Sequence, residues 1–344
     1  MKIEVFSPTI RRKEMDAVLT AMVEDRIGPG ECSRILIQTA KEHLHFDFSL
    51  ALRSPATALR LALKALSLEA GDGVLVSALS PRYYGNVLEE LQLTPLFCDV
   101  SYTFPCINRE TIEKAVTSAP AGVNPRCILL HHTLGFIPDT ESIADLGIPF
   151  IEDISQSFSP ARVKEKRIQG IYTIFGLEER DSLTAGGGAL LYSANRKDSA
   201  ALRVFTNLPG EYNLPDINAA LATAQFKETA RNFDRRMEIS KAYTQASLRT
   251  RHKRFIPLDG TEYNNYAFPL VLETGVKDVT AYARKKEIII ENAFEQTLTG
   301  TGICDSLLCP VSYSLSLRTV LFPLYPRLRS QDAERVSKLI MTLP

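Results

Sequence analysis

The chain has 344 residues, 45% of them apolar and 23% charged, with 40 basic side chains balancing 40 acidic ones. This is the composition of a globular protein that buries a core. The zero formal net charge excludes a global field for nucleic acid or an acidic membrane surface. No stretch approaches the roughly 20 apolar residues of a membrane span. The N-terminal "MKIEVFSPTI" lacks the apolar run of a secretory signal, so a cytoplasmic location is expected. The six cysteines form no C-x-x-C pair and no Cys/His group has ligand spacing, so no metal site is expected.

In chain order, "SPATALRLALKALSLEAG" (54–71) carries apolar residues at helical spacing, with Pro55 in the first turn and Gly71 just past the end. Short apolar runs follow: "GVLVSAL" (73–79), "TPLFCDV" (94–100), "RCILLHH" (126–132), "IPFIEDI" (148–154) and "GALLYS" (188–193). Each reads as a parallel strand buried on both faces. Helices are expected between them at 85–93 and 108–119, the second opened by an Asn108 cap. Strands alternating with helices give βαβ units and a mostly parallel sheet, an α/β fold. His131–His132 reads as a strand end.

Beyond residue 205 the pattern changes. Residues 215–251 read as one long, nearly unbroken helix, 264–274 as a strand, 277–287 as a helix and 330–343 as a capped terminal helix. The expected division is a large α/β domain over 1–240 and a smaller α+β domain over 241–344. The basic run "RTRHKR" (249–254) reads as a solvated linker. "TAGGG" (184–188) lacks the ending of a phosphate loop and reads as a turn between two strands.

Taken together, "RSPATALRLALKALSLEAGDGVLVSAL", "IPFIEDISQSF", "INAALATAQFKETARNFDRRMEISKAY" and "CPVSYSLSLRTVLFPLYPRLRSQDAERVSKLI" resemble, in order, the DegT/DnrJ/EryC1/StrS sugar aminotransferases. The resemblance implies the PLP-transferase fold type I, aspartate-aminotransferase-like, with pyridoxal or pyridoxamine phosphate as the family cofactor. It places Asp153 at the carboxylate that keeps the cofactor's pyridinium nitrogen protonated and Gln156 near the ring's phenolic oxygen.

At the remaining positions this chain departs from the family pattern. A gap-free alignment puts Asp181 at the Schiff-base lysine, and a shift of one residue puts Arg180 there; neither supplies an amine. Lys164 and Lys166 match loop lysines that do not carry the cofactor. The phosphate-binding Gly-Thr corresponds to Pro55 and Ala56, with Ser54 and Thr57 as remaining anion contacts; proline has no N–H and alanine no hydroxyl. A phosphate-binding serine aligns with Gly176, the partner subunit's asparagine with Glu211, a nearby arginine with Asn213, and the stacking aromatic with Pro81, where Tyr83 or Tyr84 substitutes after a shift.

These losses point to a non-catalytic homologue, a ligand-binding or assembly protein that binds the cofactor weakly or not at all. The alternative is a divergent aminotransferase, or a dehydratase-like enzyme of nucleotide-sugar metabolism using diffusible pyridoxamine phosphate. The expected partners are a second copy in a homodimer, an active paralogue in a heteromer, or a small molecule in the crevice.

Overall fold

The computed structural model describes residues 2–158 and 170–344. Two helices, α1 (Arg12–Val23) and α2 (Glu31–Leu44), precede an edge strand β1 (Phe48–Leu52). The alternation follows with α3 (Pro55–Ala65), β2 (Gly73–Ser77), α4 (Arg82–Glu90), β3 (Thr94–Cys98), α5 (Arg109–Thr117) and β4 (Pro125–His131). A short strand β5 (Phe136–Ile137) and helix α6 (Thr140–Ala144) lead to β6 (Phe150–Asp153), β7 (Tyr172–Gly176), β8 (Ala189–Ser193) and α7 (Arg196–Arg203).

The seven-stranded sheet has the order β1-β8-β7-β6-β4-β2-β3. The five strands from β7 to β3 run parallel. Both sheet faces are covered, which is why the strand sequences are continuously apolar: Val74, Val76 and Leu129 enter one core, while Leu75, Ile128 and Leu130 enter the other. The last apolar run departs from its expected direction, because β8 is antiparallel to both β7 and β1. A run buried on both faces carries no information about strand direction. The reversal is set by the turn at 177–188, where Leu177 N–H donates to Gly188 O at 2.8 Å and Ala185 N–H to Leu177 O at 2.8 Å. Gly186, Gly187 and Gly188 have φ of 71°, 141° and 114°, so the glycine run of this turn is a backbone requirement.

The long helical stretch is two helices, α8 (Asp216–Lys227) and α9 (Thr229–Ser247), interrupted at Glu228. Glu228 is anchored by Lys13 at 2.7 Å and Arg231 at 2.6 Å, which fixes the bend against α1. Strand β9 (Glu262–Tyr263) pairs with β5. Next come β10 (Phe268–Val271), α10 (Val276–Lys285), β11 (Glu291–Asn292), α11 (Pro310–Arg318), β12 (Thr319–Phe322) and α12 (Ser330–Met341). The second sheet, β10-β12-β11, shares a core with α9, α10 and α12 through Ile239, Tyr243, Leu270, Val279, Val336 and Leu339. Residue 240 lies inside α9. Part of the C-terminal region packs on the large sheet: Leu298, Cys304 and Cys309 belong to one of its cores, Phe294 and Leu315 to the other. In the basic run, Lys253 pairs with Val271 and bonds Glu273 at 2.9 Å.

Candidate functional site

The C-terminal ends of parallel strands are where open α/β sheets bind ligands. Here that edge presents His131 from β4, Asp153 from β6 and Gly176 from β7. Asp153 is 2% exposed, and its carboxylate accepts four hydrogen bonds from the protein. Oδ1 accepts from the Ser155 backbone N–H at 3.0 Å and the Ser155 hydroxyl at 2.5 Å. Oδ2 accepts from the Tyr83 hydroxyl at 2.9 Å and the Tyr84 hydroxyl at 2.8 Å. Burial, then the Asp153 charge, pushes both phenols well above their ordinary range, so they remain donors. The two rings meet edge to face at 4.9 Å with their hydroxyls turned onto Asp153. The first turn of α4, begun after Pro81, delivers both tyrosines.

Ser155 joins this shell to the next strand, since its hydroxyl accepts from Gly176 N–H at 2.7 Å. Gly176 is bare for a steric reason. A Cβ there would lie 2.3 Å from Asp181 Oδ2 and 2.7 Å from Ser155 Oγ. The Asp181 carboxylate fills the space that a side chain at 176 would need, and its Oδ2 accepts from Glu178 N–H at 2.7 Å. Asp181 is half-buried. Burial raises its carboxyl well above the usual range, and the charges of Asp153 and Glu178 push the same way. Arg180 points elsewhere, to Glu291 of β11 through two bonds of 2.6 and 3.4 Å, and lies over the Phe6 ring at 5.0 Å.

At the start of α3, Ser54 Oγ caps the helix by accepting from Thr57 N–H at 3.2 Å and contacts the Thr57 hydroxyl at 3.0 Å. Pro55 and Ala56 are the first two helical residues, so one N–H of this turn is missing and the next-but-one is already engaged. Glu211 is exposed, and the Arg53 side chain donates to its backbone carbonyl at 3.0 Å. Asn213 bridges to Leu52 at the end of β1. Lys164 and Lys166 lie outside the described residues.

Beside this cluster opens a cleft of about 460 Å³ between the strand ends and the segment 291–297, within the size range of small-molecule sites. None of the described residues lining it is lysine. Gln156, His131 and Arg180 reach it. Gln156 Oε1 accepts from Leu134 N–H at 2.7 Å and holds Leu134 in a left-handed conformation, φ 56°. Such non-glycine outliers concentrate at ligand sites. His131 is buried, which lowers its pKa against the opposing pull of Asp153, so the ring is neutral. Neither the role of Ser155 nor the Arg180–Glu291 pair was legible in the sequence. A polar residue two positions beyond a strand-end aspartate was the available signal for the first.

Residues 8–341 match the model of the DegT/DnrJ/EryC1/StrS aminotransferase family. The chain belongs to that family. Uncharacterized protein MJ1066 of Methanocaldococcus jannaschii is 24% identical over 270 residues, spanning 70% of this chain and 68% of its own. Among solved structures, an aminotransferase TlmJ from Streptoalloteichus hindustanus superposes with a TM-score of 0.84 at 18% identity, covering 98% of each chain. Helicobacter pylori PseC, an aminotransferase involved in the biosynthesis of pseudoaminic acid, superposes with a TM-score of 0.83 at 16% identity, covering 99% of this chain and 98% of its own. At these identities the likeness shows the fold, the mostly parallel α/β fold of this aminotransferase family. Among the described residues no helix is long and apolar enough to cross a membrane, and no group of three His, Cys, Asp or Glu is placed to hold a metal ion.

Proposed function

We propose that this chain is a DegT/DnrJ/EryC1/StrS homologue whose cofactor site has been rebuilt, so that it works by binding or assembly and not by transamination. The observation that carries the reading is the Asp153 carboxylate, which accepts four hydrogen bonds from protein groups. A carboxylate offers about four lone-pair sites, so this shell leaves none for a pyridinium N–H. The residues that the resemblance aligns with the other cofactor contacts support the same conclusion. Asp181 offers no amine, Pro55 removes an amide from the phosphate cradle, and Gly176 removes a hydroxyl while Asp181 fills its space. These residues do not fit pyridoxal phosphate.

The dehydratase-like alternative needs Asp181 as a proton acceptor. Its carboxylate is instead turned onto the Glu178 backbone N–H and fills the space beside Gly176, which works against that role. On the same reading the protein acts in the cytoplasm as a homodimer or beside an active paralogue. Support for assembly comes from Met15, Leu19, Met22, Val23 and Ile27, apolar side chains on and just after α1 that are each at least half exposed. The testing experiment is absorbance after mixing with pyridoxal phosphate. No protein-bound aldimine band is expected, and a stable band would overturn the reading.

A further inference from the structure

The cleft next to the saturated Asp153 shell still has the makings of a binding site, and its charges decide what it accepts. Arg180 is the cation among its described lining residues, and Glu291 holds it through two bonds of 2.6 and 3.4 Å. Glu295, on the same segment, is exposed and adds a second carboxylate. Of the other titratable wall residues, His131 is kept neutral by burial, and burial raises the Tyr266 phenol so that it too stays neutral. Among the described residues, an anion entering the cleft meets one guanidinium already neutralised and one additional negative charge. Arg180 keeps N–H donors beyond the two that Glu291 takes, but with its charge already compensated it attracts an anion less.

The hydrogen-bonding groups point the same way. Leu134 N–H can only donate, so the Gln156 atom facing it is the amide oxygen, and the amide NH₂ is left as the other end. Among the described residues no acceptor takes that NH₂. The cleft thus offers a neutral donor and a partly aromatic lining that includes Phe6, Tyr266 and Phe294. Such a surface suits a ring compound with a carbonyl or hydroxyl acceptor.

We propose that this cleft binds a non-anionic ring compound, and that Glu291 sets the specificity by neutralising Arg180. The inference rests on the preceding reading in one respect, that the cofactor does not claim the cleft. Glu291 is suited to substitution because the pair is substantially solvent-exposed, with side-chain exposures of 57% and 31%, and contributes little to stability.

The test is ligand-observed NMR on the full chain with matched pairs, pyridoxine against pyridoxine phosphate and glucose against glucose phosphate. None of these forms the cofactor's internal imine, so the result is independent of the aldimine test. The non-phosphorylated member of at least one pair should bind more tightly than its phosphate. Gln296→Trp, which bulks up an exposed cleft residue, should abolish that binding. Glu291→Gln should strengthen binding of the phosphorylated members about tenfold, the effect of roughly 1.4 kcal/mol. Tighter binding of the phosphates by the unmodified protein, no binding of any probe, binding insensitive to Gln296→Trp, or a Glu291→Gln variant with unchanged phosphate affinity would each overturn the proposal.

Discussion

Two neighbouring regions at the strand ends have opposite hydrogen-bonding status. Around Asp153 each carboxylate oxygen accepts from two protein donors, and the whole shell is drawn from β6, the turn after it and α4. In the cleft alongside, Gln156 has one end anchored and the other turned away from protein acceptors, while Arg180 is satisfied by a single partner at a half-exposed position. A buried carboxylate saturated by its own chain stabilises the fold and is closed to ligands. A wall of half-engaged neutral groups remains open to them. On the proposed reading, the family's sheet is kept while the polar centre at its strand ends satisfies itself.

The comparison breaks most visibly if the tyrosine donors are removed. Tyr83→Phe combined with Tyr84→Phe leaves the buried Asp153 with two of its four bonds. At about 1.5–3 kcal/mol for a hydrogen bond to a charged group, the pair should cost about 3–6 kcal/mol by urea unfolding. Tyr84→Phe should account for the larger share, because Tyr84 is 1% exposed whereas Tyr83 is half-buried. A double variant as stable as the parent would mean that Asp153 finds replacement donors and that its shell is not closed.

Gly176→Ser tests the steric link between the shell and Asp181. Its Cβ meets Asp181 Oδ2 at 2.3 Å and Ser155 Oγ at 2.7 Å, so the added atoms should cost about 1–3 kcal/mol. Asp181→Ala in the same background should recover part of that loss, a non-additivity that a thermodynamic cycle reads directly. Strictly additive effects would separate the two residues.

The smallest effect is the pH dependence of Asp181. Its folded-state pKa is raised, chiefly by burial, so the folded chain binds the proton more tightly than the unfolded one. That contribution to stability is complete below the ordinary carboxyl range and is lost as pH rises toward the folded pKa, with a slope of at most about 1.4 kcal/mol per pH unit. Asp181→Asn should flatten this part of the stability curve and be the more stable form at neutral pH. An unchanged curve would indicate that the carboxylate is better solvated than its position suggests.

Much of the scaffold was legible because its signals are local. Runs such as "GVLVSAL" are apolar on both faces, and Ser54, Pro55 and Asn108 mark helix starts through chemistry confined to a few residues. β1 escaped because "FSLAL" is short and includes a serine, and the direction of β8 has no local signature. The break at Glu228 escaped because the residues around it carry no proline or glycine, and the Lys13 partner that Glu228 finds is 215 residues away. The site divides in the same way. Asp153 could be placed from the end of its own strand, but its partners Tyr83 and Tyr84 are 70 and 69 residues away. The Arg180–Glu291 pair spans 111 residues. Such pairings arise from the fold and have no trace in the spacing of either residue.

The most direct test of the closed Asp153 shell is incubation with pyridoxal phosphate, borohydride reduction and peptide mapping of the trapped lysines. With the shell closed, no lysine should be labelled stoichiometrically and the parent and the Asp181→Asn variant should not differ. Full labelling of one lysine, Lys164 and Lys166 included, accompanied by an aldimine band before reduction, would contradict it and return the protein to the cofactor-carrying members of its family.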